Sequence, residues 1–200
     1  GREGGTVQAS PWEEVRDFFH YCDNYIDAVD RAAEHFAKLH GSETDMRAAA
    51  IERLESRGIT GRQSQGAPMR AFDEDRQELV LSSLLPVETQ TFQLLVQVAL
   101  LRQNQLLEAT LDLARFQTEE ARAIAKLGLA NYFAGAVMMP YESFHGAAEA
   151  LRYDIDLIGN RYNTSFEQTA HRLTTLGRAG AKGVPFFFLR VDHAGNISKR

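Results

Sequence analysis

TFQLLVQVALL, residues 91–101, is the stretch from which the fold prediction starts. It is apolar on nearly every side, which is typical of a helix that is buried on several faces. With about 100° of rotation per residue, one face carries Gln93, Val96, Gln97, Leu100 and Asn104. The opposite face carries Phe92, Leu95, Ala99 and Leu106. We therefore predict a central buried helix over residues 88–101.

The composition limits the classes of function. The 200 residues are 44% hydrophobic and 24% charged, which is ordinary for a globular chain of one large or two small domains. The net charge of -5 argues against a surface built mainly to hold nucleic acid, so an anionic ligand would need a local cluster of arginines. Cys22 is the single cysteine, which excludes an internal disulfide, a cysteine-ligated zinc site or an iron–sulfur cluster formed by this chain alone.

Membrane-spanning and secretory segments have recognisable sequence patterns. The sequence contains no apolar run of the roughly 18 residues that a membrane-spanning helix needs, and it does not open with a signal peptide. We expect a cytoplasmic protein without a membrane partner.

The N-terminal part is predicted to be helical. Residues 1–9 are rich in glycine and resemble a linker or an expression remnant. Ser10, Pro11 and Glu13 then form a helix start, with an N-cap, a first-turn proline and a capping-box acid. Apolar residues at spacings of three and four predict one helix that continues to about Leu39. A helix of that length needs a partner, so it lies across the domain or forms a dimer seam.

Shorter elements follow. Thr44 can cap a second helix that ends near Gly58. Residues 58–68 are rich in glycine and polar residues and are interpreted as a loop or frayed strand. Residues 69–81 alternate around an acidic turn and predict a β-hairpin. These signals predict an α+β, mostly helical fold with a small sheet beside the central buried helix.

The remaining elements complete the predicted organisation. Helices are expected from Asn104 to Phe116 and from Thr118 toward Phe133, followed by a helical pair at 154–160 and 164–176. An apolar strand at 186–189 and a turn at 194–196 predict the start of a C-terminal β-hairpin. The predicted divisions are an N-terminal helical segment, a ligand-binding core, and a helical pair with the start of a truncated domain, at residues 10–57, 58–150 and 151–200.

The central helix resembles the metal-binding helix of ImmA/IrrE-type zinc peptidases, which reads F-x-L-x-H-E-x-G-H. Phe92 and Leu94 match, but the two histidine positions are occupied by Val96 and Leu100, and the glutamate position by Gln97. Valine and leucine cannot bind zinc, and an amide cannot act as a general base. The resemblance therefore implies a degenerate zincin-like core with no metal site and no catalytic residue, and so not an enzyme.

A second block extends this resemblance. Residues 130–134, Ala-Asn-Tyr-Phe-Ala, are similar to the A-N-x-F-A motif that follows the metal helix in the same peptidases. The third metal ligand of that family, an acid just before the motif, would fall near Lys126 or Leu127. Neither residue is an acid, which agrees with the loss of the metal site.

The second half of the chain resembles the short-chain fatty acyl transcriptional regulators of actinobacteria, which act in propionate or glyoxylate metabolism. The matching segments are YDIDL at 153–157, SFEQ at 165–168, HRLTTL at 171–176, GVPFFF at 183–188 and VDHAGN at 191–196. They follow MMP at 138–140, which completes the peptidase-like block A-N-x-F-A…L-M-P. The resemblance covers roughly residues 10–200. It implies an N-terminal helix-turn-helix that binds DNA and a cysteine-bearing C-terminal domain, both outside this chain. An iron–sulfur cluster would be possible only in the latter.

The family resemblance implies coenzyme A or an acyl-CoA as the ligand, with no other cofactor in this chain. The long N-terminal helix, which needs a partner, leads us to expect a homodimer. A peptidase cleft without its metal would leave a cavity suited to a short acyl tail, and arginine is the usual partner of phosphate groups. The candidate ligand contacts are side chains of the central helix, arginines near the hairpin and helix, and one later tyrosine: Val96, Gln97, Leu100, Arg70, Arg76, Arg102 and Tyr153.

Arg102 has two possible partners. It directly follows the buried helix, and a guanidinium near a core needs an anion because an unpaired buried charge is costly. The anion is either a carboxylate, such as Glu108 or Asp112, or a ligand phosphate.

Alternative functions remain open at this point. The chain could be a dimerisation core built on the 12–39 helix, without its own ligand, or a metallopeptidase with displaced ligands, for which His145 is the nearest histidine. The helical pair also has the outline of a helix-turn-helix, with Arg161, Arg172 and Arg178 available for phosphates. Its acidic residues oppose DNA binding, and the resemblance implies a DNA reader elsewhere.

Overall fold

The computed structural model describes residues 9–41 and 45–185, together with the backbone of residues 189–191 and 197–199. Its first elements are α1 (Pro11–Tyr21), α2 (Asp27–His40), α3 (Met46–Glu55), β1 (Thr60–Ser64), β2 (Arg70–Asp73) and β3 (Glu78–Ser82). The later helices are α4 (Val87–Arg102), α5 (Asn104–Ala114), α6 (Glu119–Met138), α7 (Tyr141–Ala150), α8 (Ile155–Tyr162) and α9 (Phe166–Leu173). The last two strands are β4 (Leu189–Val191) and β5 (Ile197–Lys199). The fold is mostly helical with a small sheet, as predicted.

The predicted central helix is α4, and its burial is confirmed. Leu95, Val96, Val98 and Ala99 are fully buried in the main hydrophobic cluster. The helix packs against α3, α5 and α6. Since apolar residues surround α4 on several sides, its sequence has almost no amphipathic character, and this is the property from which its central position was predicted.

The sheet has the strand order β1-β3-β2. β2 and β3 form the predicted hairpin, with Ala71 opposite Val80. Residues 58–68, interpreted as a loop or frayed strand, contain β1, which runs parallel to β3 with Arg62 opposite Val80. Leu79 on the middle strand is fully buried, which fixes this sheet against the helical core.

The single helix predicted from residue 12 to residue 39 is wrong. It is two helices, α1 and α2, separated by Asp23 and Asn24 at φ values of 54° and 58°. Two successive residues in the left-handed region end the first helix, and Asp and Asn tolerate that region better than most residues. The apolar periodicity continues across the break because α1 and α2 both pack against α6.

The start of α3 and the C-terminal hairpin can be compared with their predictions. The N-cap of α3 is Asp45, whose carboxylate accepts from the Arg47 amide. The predicted cap, Thr44, lies outside the described residues, as do residues 1–8. β4 and β5 pair antiparallel, which confirms the start of a C-terminal hairpin. Residues 186–188 of the predicted strand and its turn at 194–196 lie outside the described part of the chain.

A second hydrophobic cluster is formed by α7, α8, α9 and the residues after them. Its buried members include Tyr141, Phe144, Ile158 and Leu173. The helical pair predicted at 154–160 and 164–176 is confirmed as α8 and α9. Within the described residues, no helix combines the length and the apolar character that a membrane crossing requires.

A buried ion pair holds α2, α6 and α9 together. The two terminal nitrogens of Arg172 donate to the two carboxylate oxygens of Asp30 at 2.7 and 3.0 Å. Tyr132 on α6 donates its hydroxyl to Asp30 at 2.6 Å. Asp30 is 0% exposed and Arg172 is 3% exposed. The proposed availability of Arg172 for phosphate is therefore wrong, because its donors are committed inside the protein.

Arg178 is also a structural residue, so its proposed role in contacting phosphate is wrong as well. Its guanidinium donates to the Tyr25 hydroxyl at 2.6 Å and to Glu34 at 3.3 Å, and it stacks over the Tyr141 ring at 4.1 Å. These contacts attach the residues after α9 to α2 and α7.

We predict that Asp30→Asn lowers the free energy of unfolding by about 3–5 kcal/mol, since Arg172 would remain buried beside a neutral amide. Asp27→Asn is the matched control on the same helix. Its ion pair with Arg31 is 58% exposed on both sides, so its loss should cost at most about 1 kcal/mol. Urea unfolding measures both variants, and equal effects would contradict the central role of the buried pair.

Candidate ligand site around the central helix

Gln97 occupies the position where a peptidase of this type would carry its general base. The side chain is 3% exposed, and its carbonyl oxygen accepts a hydrogen bond from Nη1 of Arg70 at 2.6 Å. Burial lowers the pKa of Arg70 from its ordinary value. The two residues, both predicted as site residues, are thus brought together as a guanidinium–amide pair that joins β2 to α4.

The polar face of α4 continues toward its N-terminus. Gln90 accepts from Gln63 on β1 at 2.9 Å and from Arg47 on α3 at 3.3 Å, and it donates to the Leu85 carbonyl at 2.9 Å. The glutamines at positions 90, 93 and 97 follow helical spacing, so the sequence alone places them on one face of α4. The hydrogen-bond partners of these glutamines could not be predicted from the sequence, because they belong to other helices and strands.

The expected acyl cavity does not open at Val96. Val96 is 0% exposed and packs in the main hydrophobic cluster, while Leu100, one turn later, is half-buried. The expectation that both residues line one cavity is therefore wrong for Val96. Leu100 is the predicted apolar contact that borders accessible space.

Two other predicted contacts lie apart from the Arg70–Gln97 pair. Arg76 is exposed in the β2–β3 turn, 3.9 Å from the Asp73 carboxylate. Tyr153 belongs to the second cluster, where its hydroxyl donates to Glu149 at 2.6 Å and accepts from the Val184 amide at 3.0 Å. Tyr153 thus holds the residues after α9, and its hydrogen bonds are made away from the predicted ligand contacts on α4.

Arg102 is exposed at the C-terminal end of α4 rather than close to the core. The carboxylates expected to pair with it, Glu108 and Asp112, are bound instead by Arg122 and Lys126. Among the described residues, no ion pair of Arg102 is found. The carboxylate interpretation of this arginine is therefore wrong.

Three cationic or titratable side chains lie near this end of α4. Burial, followed by the positive charges of Arg53 and Arg102, lowers the pKa of His40. The Arg53 side chain donates to Glu52 through one terminal nitrogen, while its buried Nε has no acceptor in the part of the chain that the structure describes. We call His40, Arg53 and Arg102 the cationic cluster. The charge of this cluster comes from Arg53 and Arg102, because the lowered pKa of His40 opposes its protonation. The two guanidinium groups suit an anion such as a phosphate ester.

A groove that sequence reasoning missed runs between α6 and α9. It consists of two neighbouring cavities of about 240 and 250 Å³ that share Asn131, Tyr132, His171 and Thr175. Asn131 is the asparagine of the Ala130–Ala134 motif, so this motif lines the groove and does not supply a metal ligand. In the described residues, no group of three or more His, Cys, Asp or Glu side chains is placed to hold a metal ion.

The β2–β3 hairpin, the buried helix α4 and the helices after it form an arrangement that is known from a protein family. Residues 59–174 match the IrrE N-terminal-like domain of the M78 peptidases, and the chain belongs to that family. Residues 175–200 match the C-terminal domain of short-chain fatty acyl coenzyme A regulators.

Particular relatives are regulators by name. The chain is 58% identical over its whole length to a propionyl-CoA carboxylase regulator of Cereibacter sphaeroides, of which it covers 43%. It is 43% identical over 95% of its length to the HTH-type transcriptional regulator PrpR of Mycobacterium tuberculosis, of which it covers 40%. RamB of the same species is 41% identical over 95% of this chain, which covers 41% of RamB. The chain thus spans less than half the length of these relatives.

A solved structure has the same fold. A Mycobacterium tuberculosis transcriptional regulator superposes with a TM-score of 0.88 at 42% sequence identity, covering 96% of this chain and 60% of the other. The predicted resemblance to acyl regulators with a degenerate peptidase core is confirmed.

We predict that Gln97→Leu lowers the free energy of unfolding by about 1–2 kcal/mol, because the half-buried Arg70 guanidinium loses its acceptor while the side-chain volume is kept. Gln93→Leu is the control on the same helix, since the Gln93 amide contacts only the Met69 sulfur at 3.1 Å in the described structure. That variant should stay within about 0.5 kcal/mol of the parent. Chemical unfolding followed by circular dichroism distinguishes the two, and a Gln93 effect as large as that of Gln97 would contradict the assignment.

Proposed function

We propose that this chain is the acyl-CoA-sensing region of a transcriptional regulator of short-chain fatty acid metabolism, and that it has no peptidase activity. The Arg70–Gln97 hydrogen bond at the position of the general base is the observation that carries this proposal. An amide whose oxygen is engaged by a guanidinium cannot accept a proton from a water molecule near neutral pH. Val96 and Leu100, at the two histidine positions, offer no atom that binds a metal.

The names of the relatives support the regulatory part of the proposal. One relative is named a propionyl-CoA carboxylase regulator, and the C-terminal residues match a family of short-chain fatty acyl coenzyme A regulators. DNA binding through a helix-turn-helix and assembly as a homodimer belong to the proposal for the whole regulator.

The cationic cluster is the proposed site for the nucleotide end of the ligand. Coenzyme A carries several negative charges there, while the chain as a whole has a net charge of -5. Arg102 is exposed, and its charge acts together with that of Arg53 on His40. These residues therefore form a local exception to the acidic surface, where phosphate oxygens would find several donors.

The acyl end is proposed to lie along the last turns of α4. Leu100 is half-buried and precedes Arg102 by two residues, about 3 Å along the helix axis. Gln97 lies five residues before Arg102, about 7.5 Å along the same axis. Since residues two and five positions apart on a helix point in different directions, a thioester whose phosphates contact Arg102 would have to pass around α4 to reach Leu100 and the Arg70–Gln97 pair.

Thermal unfolding tests the proposal directly. At about 100 times its Kd, propionyl-CoA or acetyl-CoA should stabilise the chain by roughly 2.7 kcal/mol. For a chain of this size the Tm would rise by about 5–10 °C. ATP at the same concentration serves as the control for nonspecific anion binding. An unchanged Tm with every acyl-CoA would contradict ligand sensing.

The phosphate assignment makes a separate prediction. Arg102→Ala should weaken propionyl-CoA binding by about tenfold, since a charge-assisted hydrogen bond to phosphate contributes roughly 1.5 kcal/mol or more. Arg76→Ala is the matched control, because Arg76 is equally a surface arginine but lies in the β2–β3 turn with its side chain 78% exposed. Calorimetric titration of both variants decides the matter. If only Arg76→Ala loses affinity, the phosphate site lies at the β2–β3 hairpin and not at Arg102.

A further inference from the structure

A groove is formed by α1, the α1–α2 junction and the end of α5. It has a volume of about 630 Å³. The lining residues are Glu14, Asp17, Phe18, Tyr21, Cys22, Tyr25, Ile26, Asp27, Thr110, Leu113, Ala114 and Phe116. We call it the acidic groove. It shares no residue with the cationic cluster.

The floor of the acidic groove is aromatic and apolar. The Phe18 ring packs edge-on against Phe116 at 5.4 Å and against Phe19 at 5.2 Å, so the floor is held in place from below. On the two lips, Tyr21 is 88% exposed and Leu113 is 84% exposed. Large apolar side chains grouped around a concave surface are characteristic of a protein interaction site.

The charged residues that line the acidic groove are all carboxylates, and Arg31 and Arg178 lie next to it, the first paired with Asp27 and the second bonded to Tyr25. The lining contains three carboxylates, Glu14, Asp17 and Asp27, and no lysine or arginine. Glu14 accepts from the Gln117 amide at 2.7 Å and Asp27 pairs with Arg31 at 2.9 Å, so both are fixed in place. Asp17 is exposed, and no partner for it is found among the described residues. A carboxylate has about four acceptor positions, so all three retain capacity for a cationic partner.

We propose that the acidic groove docks an amphipathic helix of a partner protein, with apolar residues at helical spacing flanked by lysine or arginine. A helix laid in a groove between two helices places side chains at positions i, i+3, i+4 and i+7 on the floor. The cationic flanks then meet the carboxylates of the rim, which gives the complex its orientation and speeds association.

The charge decides against two other occupants. In a symmetric pair of this chain the same patch meets itself, so the three carboxylates of one groove would lie close to those of the other. A coenzyme A phosphate would be repelled in the same way. The cationic helix is the occupant that complements both the shape and the charge, and this inference does not depend on the proposed ligand-sensing function.

Binding of synthetic helical peptides to the 200-residue chain tests the inference. The probe is a labelled peptide with Leu at i, i+3, i+4 and i+7 and Lys on its flanks. The control peptide has the same leucines with Glu in place of Lys. Fluorescence anisotropy should show binding of the Lys peptide with Kd below about 0.1 mM, at least tenfold weaker binding of the Glu peptide, and a loss of affinity as NaCl is raised.

Surface variants locate the binding. Leu113→Asp and Asp17→Lys should each weaken the Lys peptide by at least about fivefold, while Leu157→Asp, at a leucine of α8 that is 51% exposed outside the acidic groove, should not. Cys22 lines the groove and is the single cysteine, so bound peptide should also slow its alkylation. Each variant should keep the acyl-CoA-dependent rise in Tm if the ligand proposal holds.

Three results would overturn the inference. One is the absence of Lys-peptide binding up to about 0.1 mM. Another is equal affinity for the Lys and Glu peptides. The third is a concentration-dependent dimer of the chain that Leu113→Asp abolishes in equilibrium sedimentation, which would make a second copy the occupant. Each of these three results can be interpreted whether or not acyl-CoA binds. The docking proposal and the ligand-sensing proposal can therefore be contradicted independently.

Discussion

The buried pair of Asp30 and Arg172 is the interaction on which the arrangement of helices depends. Both charges are removed from water, which is costly unless the geometry is good and the remaining polar atoms are satisfied. Here the pair is bidentate, Tyr132 donates to the same carboxylate, and Arg172 also donates to the Met139 carbonyl and the Thr175 hydroxyl. Burial, and then the Asp30 charge, raise the pKa of Tyr132, which keeps its hydroxyl available as a donor. The network therefore fixes α2, α6 and α9 at one point.

This point is also where the core is connected to the residues that follow α9. Tyr141 donates to the Ala181 carbonyl at 2.8 Å, the His145 ring bonds the Lys182 carbonyl at 3.0 Å, and Tyr153 accepts from the Val184 amide at 3.0 Å. Residues 177–184 are thus held along the second hydrophobic cluster before the chain continues to β4. A shift of α6 or α9 would therefore be transmitted to residues 177–184 through these hydrogen bonds.

α4, which resembles the metal-binding helix of the peptidases, is held in place by hydrogen bonds of its glutamines. A carboxylate at position 97 would need water or metal beside it, whereas the amide of Gln97 is satisfied by Arg70 and can remain 3% exposed. Gln90 is satisfied in the same way by residues of α3 and β1. Glutamines therefore hold the sheet and α3 against α4.

The elements that the sequence predicts well are those with strong local signals. The apolar stretch at 91–101 predicts α4, the alternation around an acidic turn predicts the hairpin, and Thr118 predicts the start of α6. Local signals could not reveal the break at Asp23, because the apolar spacing continues through it.

Partners that are distant in sequence could not be predicted either. Asp30 and Arg172 are separated by 142 positions, and an arginine on a short amphipathic helix has the same local pattern whether it is buried or exposed. For the candidate site, the sequence alone showed that Val96, Gln97 and Leu100 stand where the peptidase motif has His, Glu and His. The partner of Arg70 and the surroundings of Arg102 required the tertiary structure, since they depend on how α2, α3, β2 and α4 meet.

A calorimetric titration of the 200-residue chain with propionyl-CoA, followed by the same titration with zinc chloride, tests the central claim most directly. The account predicts saturable binding of one thioester per chain and no stoichiometric binding of zinc. Stoichiometric zinc binding with no heat from any short-chain acyl-CoA would contradict it.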